Sequence, residues 1–152
     1  MLITLLIKKI MSKIIIFGAG AMGSAFAVPC SDNKNEIIVA GTHLDDSFID
    51  SIHHNNNYHP SLGIKLPKKI KFIKSNELSN KKYFAPDLIV IATNSKGLEW
   101  SVKNLSILCS KKTLPHILLL TKGLSIHKKN FETLVEKLKR LLKKGKFKNI
   151  NI

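Results

Sequence analysis

Short apolar runs rich in β-branched residues alternate along the chain with segments whose apolar positions recur every three or four residues, the order of β–α units laid into a parallel sheet. The runs predict six strands, at residues 13–17, 36–41, 69–73, 88–93, 116–121 and 147–152. Two of them, LIVIAT and ILLLT, are continuously hydrophobic rather than alternating, as strands covered by helices on both faces are, and this makes them central. Helical periodicity falls at 21–31, 45–54, 98–109 and 131–144. Asp45 and Asp46 suit the N-cap and first turn of the second helix, and Asn130 takes the same role for the last. In that last helix Phe131, Leu134, Val135, Leu138, Leu141 and Leu142 form one apolar stripe, with Lys137, Lys139, Arg140, Lys143 and Lys144 largely elsewhere. A crossover helix with a solvated basic face accounts for this better than a membrane-surface helix does. Residues 55–67 are polar, lack a period and hold Pro60, Gly63 and Pro67, so a long loop is expected there.

A length of 152 residues suits one domain with one core, and 44% hydrophobic with 23% charged residues is the composition of a globular protein, not a disordered or fibrous one. Charge changes the picture more. The formal net charge is +15, which raises nucleic acid or an anionic surface as a partner. Against this, Arg140 is the sole arginine among the 25 basic residues, and the lysines are spread, not striped. Bidentate phosphate reading favours arginine, so coding drift towards AT-rich codons explains the excess better and no nucleic-acid partner is expected. Cys30 and Cys109 are too few and too far apart for a disulfide framework or a zinc site, which points to a reducing cytoplasm. The six histidines, at 43, 53, 54, 59, 116 and 127, form no metal-ligand spacing and are expected to be solvated or capping. The opening MLITLLIKKI is too short to span a bilayer and has its lysines on the wrong side for an export signal. Met11 is therefore the expected start, residues 1–10 being an extension of doubtful status and residues 11–152 the domain.

The run Gly18-Ala-Gly20-Ala-Met-Gly23 carries the chemistry. A GxGxxG alone is weak; this one follows the strand IIIF and opens a helix. In that setting Gly18 permits the tight turn, Gly20 lets backbone approach a pyrophosphate and Gly23 allows close helix–strand packing, while the amides of the helix start at Ala21 and Met22 face the anion. The fold class is thus α/β, a Rossmann-type doubly wound and mostly parallel six-stranded sheet. The acidic residue that holds an NAD ribose is expected near the end of the second strand, at Ala40-Gly41-Thr42-His43, where no carboxylate stands. Thr42 and His43 suit a 2′-phosphate instead, and the cofactor expected is NADP, or NADP and NAD alike.

With HPSLGIKLP, IVIATNSKGL and LLLTKGL in the same order, the stretch GAGAMGSAFAVPCSDNKNEIIVAGTHLDD resembles the amino-terminal domain of NAD(P)-dependent glycerol-3-phosphate dehydrogenase, from Met11 to about Ile152. The resemblance implies hydride transfer between dihydroxyacetone phosphate and sn-glycerol 3-phosphate. It implies that Lys122, in the TKG turn after the fifth strand, touches cofactor and substrate. It also implies that Asn94 and Ser95 belong to a cofactor-contacting loop, although a helix cap would equally explain them. Lys122 also lies just past the carboxyl end of a buried strand, where an ammonium complements a phosphate or a developing alkoxide. In the family a helical carboxy-terminal domain, opened by a Gly-Pro-Ser segment, supplies the general base and the main phosphate contacts. This sequence stops before it, so weak cofactor binding and negligible stand-alone catalysis are expected unless a separately encoded half completes the site. Two other readings remain: a related two-domain reductase of the ketopantoate-reductase kind, and a non-catalytic dinucleotide- or nucleic-acid-binding module.

Overall fold

The computed structural model of the chain describes residues 11–109, 114–144 and 147. Its core is a five-stranded parallel sheet of β1 (Lys13–Phe17), β2 (Glu36–Ala40), β5 (Ile70–Ile73), β6 (Leu88–Ile91) and β7 (His116–Leu119), in the order β5-β2-β1-β6-β7. β1 has the predicted bounds, β5 begins one residue later than predicted, and β2, β6 and β7 begin as predicted and end one or two residues sooner. The predicted sixth strand, at 147–152, lies outside the described residues apart from Phe147, whose side chain packs on the core.

Continuous hydrophobicity has a direct structural cause, because alternate residues of each strand enter opposite cores. Ile14 and Ile16 of β1, Ile37 and Val39 of β2 and Val90 of β6 pack with Ala27, Ile49 and Ile52, from helices α1 (Ala21–Asp32) and α2 (Asp46–His54). Ile15, Phe17, Ile38, Ile89 and Ile91 pack on the other face with α3 (Leu98–Leu108) and α4 (Leu134–Lys144). Each buried Ile contributes roughly 1.5–3 kcal/mol, so both cores are needed to hold the sheet. Helix α1 turns Gly23, Ser24, Ala27 and Ser31 inward, small residues that let it sit close to β1. Cys109 is buried in the second core, its thiol pushed up to about 11 by desolvation, and Cys30 is half-buried and also raised by burial; both are free.

Two small antiparallel hairpins depart from the expected pattern. Within residues 55–67, β3 (Tyr58–His59) pairs with β4 (Ile64–Lys65) instead of forming an open loop. The last helix does not begin at Phe131: β8 (Leu124–His127) and β9 (Asn130–Thr133) form a hairpin first, which leaves Phe131 78% exposed and puts Asn130 in a strand, not at a cap. Thr133 caps α4 instead. Its hydroxyl accepts from the Glu136 amide at 3.2 Å while the Glu136 carboxylate accepts from the Thr133 amide at 2.7 Å, a reciprocal capping box. The stripe facing the core is then Leu134, Leu138 and Leu142, one turn apart.

Arg140 ties the hairpin to α4 through two bonds to Glu132, Nε to Oε2 at 3.1 Å and Nη2 to Oε1 at 2.5 Å. The Arg140 guanidinium, with help from the Ser125 hydroxyl, holds the Glu132 carboxyl below the usual glutamate range. Bonds from the Thr133 amide and hydroxyl do the same for Glu136. A carboxyl depressed in the folded state stabilises it above the unfolded value and loses that contribution as pH falls through the folded one. Stability should therefore decline as pH drops below about 4.5, the ordinary glutamate value. In urea titrations at stepped pH, Glu132→Gln should lower stability at pH 7 and flatten part of that acid limb; an unchanged profile would show that the pair is idle.

Candidate functional site

The strand order reverses between β1 and β6, and at the carboxyl ends of these strands an α/β sheet opens a crevice. Here it is a cavity of about 380 Å³ walled by the turn after β1, residues 42–45 after β2 and the segment after β6, with Trp100 of α3 at its side. Trp100 is set edge-on to Phe17, ring centroids 5.3 Å apart.

Two of the three glycines of the first turn are held to glycine by the fold, each for a different cause. Gly18 has φ +110°, a backbone that side chains rarely adopt, and a Cβ there would stand 2.9 Å from the carbonyl of Ala92. A Cβ on Gly23 would lie 2.2 Å from the Gly18 oxygen, so the helix meets the turn with no room between them. Gly20 differs. Its φ of −65° and ψ of 178° are open to any residue, and a Cβ there would meet nothing within 4 Å. Nothing inside the chain demands glycine at this position, and Gly20 lines the cavity.

Gly20 is the N-cap of α1 and has no side-chain cap, and the first turn carries no acidic residue. The first intrahelical bond runs from Ser24 N to Gly20 O, so the amides of Ala21, Met22 and Gly23 precede the ladder. Unladdered amides, the positive end of the helix dipole and empty space above a glycine together suit the pyrophosphate of a dinucleotide.

After β2 the structure corrects the expectation. Asp45 occupies the N-cap of α2 by backbone but makes no side-chain cap. Its Oδ2 accepts instead from the Thr42 amide at 2.7 Å and the Thr42 hydroxyl at 2.9 Å. A carboxylate thus stands in the cavity wall after the second strand, two residues past His43, brought back to Thr42 by the turn. Thr42 and His43 line the cavity with it.

After β6, Asn94 also lines the cavity, and its Oδ1 accepts from the Gly97 amide at 3.0 Å, capping the short 3-10 turn at Ser95–Gly97. Ser95 is not part of the lining; its carbonyl accepts from Lys137 Nζ at 3.4 Å. Lys96 does line the cavity, a cation one residue beyond the pair that the sequence indicated. Ala21 and Met22 are exposed at the helix start and Gly23 is buried beneath it. Lys122 is exposed and outside the lining, but its turn is fastened next to the cavity by Thr121 Oγ1, which donates to the Thr93 carbonyl at 2.7 Å.

Among the described residues no helix is long and apolar enough to cross a membrane. Residues 13–151 match the family model described as NAD-dependent glycerol-3-phosphate dehydrogenase N-terminus. Over 51 residues the chain is 51% identical to the NADP(+)-dependent glycerol-3-phosphate dehydrogenase of Archaeoglobus fulgidus, which is 34% of this chain and 15% of the relative. Over 117 residues it is 37% identical to the glycerol-3-phosphate dehydrogenase [NAD(P)+] of Polynucleobacter asymbioticus, 74% of this chain and 33% of the relative. The crystal structure of glycerol-3-phosphate dehydrogenase from Coxiella burnetii shares the fold, with a TM-score of 0.69 at 17% identity over 87% of this chain and 38% of that one. The chain spans well under half the length of these relatives.

Proposed function

This chain belongs to the NAD-dependent glycerol-3-phosphate dehydrogenase family, within its amino-terminal domain, and from that premise we propose that it forms the cofactor half of an active site that interconverts dihydroxyacetone phosphate and sn-glycerol 3-phosphate. The observation that carries the reading is Gly20, a glycine that the fold itself does not require, set over open space at an uncapped helix start. The backbone at Gly18, Gly20, Ala21, Met22 and Gly23 holds the pyrophosphate; Thr42 and His43 meet the adenosine ribose. Asn94 borders the nicotinamide side, and Ser95, outside the lining, supports the turn that carries Asn94. A nicotinamide cofactor bound there supplies the hydride. Lys122, on the turn pinned to Thr93, offers its ammonium to the substrate phosphate or to the alkoxide formed on reduction.

The Asp45 carboxylate in the cavity wall after β2 removes the ground for favouring NADP. The Archaeoglobus relative is NADP(+)-dependent by name. Together these favour use of both cofactors. The general base and the main phosphate contacts are assigned to a helical domain like that of the longer relatives, whether in the same polypeptide or separately encoded, and the setting is the cytoplasm. The family match favours this reading over a ketopantoate-reductase-like enzyme.

The chain holds a single tryptophan, Trp100, in the cavity wall, which makes the test direct. Titration with NADH and NADPH should give saturable energy transfer from Trp100 to the nicotinamide, reversed by ADP-ribose. Absence of saturable transfer with either cofactor up to millimolar concentration would refute the reading.

A further inference from the structure

The carbonyl of Ala19, in the middle of the glycine turn, faces two buried side-chain donors. Ser24 Oγ donates to it at 2.9 Å from the first turn of α1, and His59 Nε2 lies 3.3 Å from it, contributed by β3 from forty residues away. Both residues are fully buried, and the His59 ring stands edge-on to Phe48 of α2, centroids 4.9 Å apart. Donation from Nε2 requires the tautomer with its proton there. Nδ1 is then a bare acceptor, and it is buried with no hydrogen-bond partner. An orphaned ring nitrogen disfavours histidine, and leucine would fill similar space without one. What the imidazole adds over leucine is the donor to Ala19.

That donor acts on the next residue. In a trans peptide the C=O and N–H point in opposite directions, and none of the described peptides is cis. Drawing the Ala19 oxygen towards the core therefore turns the Gly20 N–H outward, away from Ser24 and His59. A flipped peptide would present the Ala19 carbonyl, with its partial negative charge, to an incoming phosphate.

We propose that His59 is a positioning residue for the phosphate-binding turn: with Ser24 it anchors the Ala19 carbonyl and so holds the Gly20 amide towards the pyrophosphate. The inference rests on the cofactor reading given above. It also gives the β3–β4 hairpin a task, since that element delivers the donor to the turn.

The test uses the full chain and ADP-ribose, which carries the pyrophosphate, with adenosine as the control lacking it. By titration calorimetry His59→Leu should weaken ADP-ribose about 5–10-fold, the loss of one hydrogen bond's worth of preorganisation, and leave adenosine unchanged. His59→Gln, which can return a donor to the same place, should restore binding to within about threefold of the wild type. In ¹⁵N spectra the Gly20 amide shift induced by ADP-ribose should shrink in His59→Leu and recover in His59→Gln. Should His59→Leu fail to fold, Ser24→Ala removes the other donor to the same oxygen and should weaken ADP-ribose selectively as well. Equal loss for the Leu and Gln variants, equal loss for adenosine and ADP-ribose, or unchanged ADP-ribose affinity in Ser24→Ala would each overturn the inference. Failure of the wild-type chain to bind ADP-ribose would instead overturn the cofactor reading beneath it.

Discussion

A Gly20→Asp chain is expected to bind NADPH and NADH at least about 30-fold more weakly than wild type while unfolding at an equal or higher temperature. Gly20 is the N-cap of α1 with φ −65°, and an added Cβ meets nothing, so the fold accepts a side chain there. An N-cap aspartate accepts from the amides of the first turn and complements the helix dipole, a gain of about 0.5–1 kcal/mol. The same carboxylate fills the space over the turn and takes the amides that an anion would use. Displacing it and overcoming its repulsion of a pyrophosphate costs about 2 kcal/mol or more, which sets the factor of about 30. The two readouts move in opposite directions, which a merely damaged protein would not show. Thermal unfolding and Trp100 energy transfer on the same samples decide it; retained cofactor affinity in Gly20→Asp would mean that the phosphates bind elsewhere.

The neighbouring glycine should behave in the reverse way. Gly23→Ala is expected to destabilise the chain by about 3 kcal/mol, at the upper end for overpacking. Its Cβ would lie 2.2 Å from the Gly18 oxygen and 3.2 Å from both the Ala92 and Ile16 side chains. The first of these contacts is backbone and cannot swing aside. Relief requires either α1 to lift from β1 or the Gly18 turn to shift, and Gly18 is itself held by the hydrogen bond its amide donates to the Ala40 carbonyl at 2.8 Å and by the close Ala92 backbone. Urea denaturation at neutral pH measures the loss. A change below about 1 kcal/mol would show that helix and turn are not in contact in the way described.

Gly18 and Gly23 do in the fold what the spacing of the motif predicts, a tight turn and close helix–strand packing. The spacing of three glycines between IIIF and a helix already assigned a different duty to each, and the structure separates them by two measurable properties, backbone angle and free space. The strands were legible for a similar reason, because residues such as Ile14 and Ile15 go to opposite cores and leave an unbroken apolar run.

Where the reading failed, the missing information was of another kind. The β8–β9 hairpin turns on Lys128 and Lys129, both with positive φ, where Asn-Gly or Asp-Gly would have signalled a two-residue turn. Two lysines at φ 50° and 68° give no such sign, so from the sequence Phe131 joins the apolar stripe of the last helix. Asp45 looked like a cap because its position allowed one; only the turn geometry shows its carboxylate bonded to Thr42. His59 looked like a solvated histidine in a polar loop, and it is buried against Phe48 and Ala19.

What the sequence by itself determined is the order of elements, the doubly covered sheet and the location of the glycine turn, because strand and helix periods and glycine requirements are local properties written into consecutive residues. Only the tertiary structure decided which groups meet around the cleft and beneath it: the Asp45 carboxylate on Thr42, Lys96 in the lining, and His59 on the carbonyl of Ala19. Those pairings depend on turn angles and on contacts up to forty residues apart, and no periodicity along the chain encodes such distances.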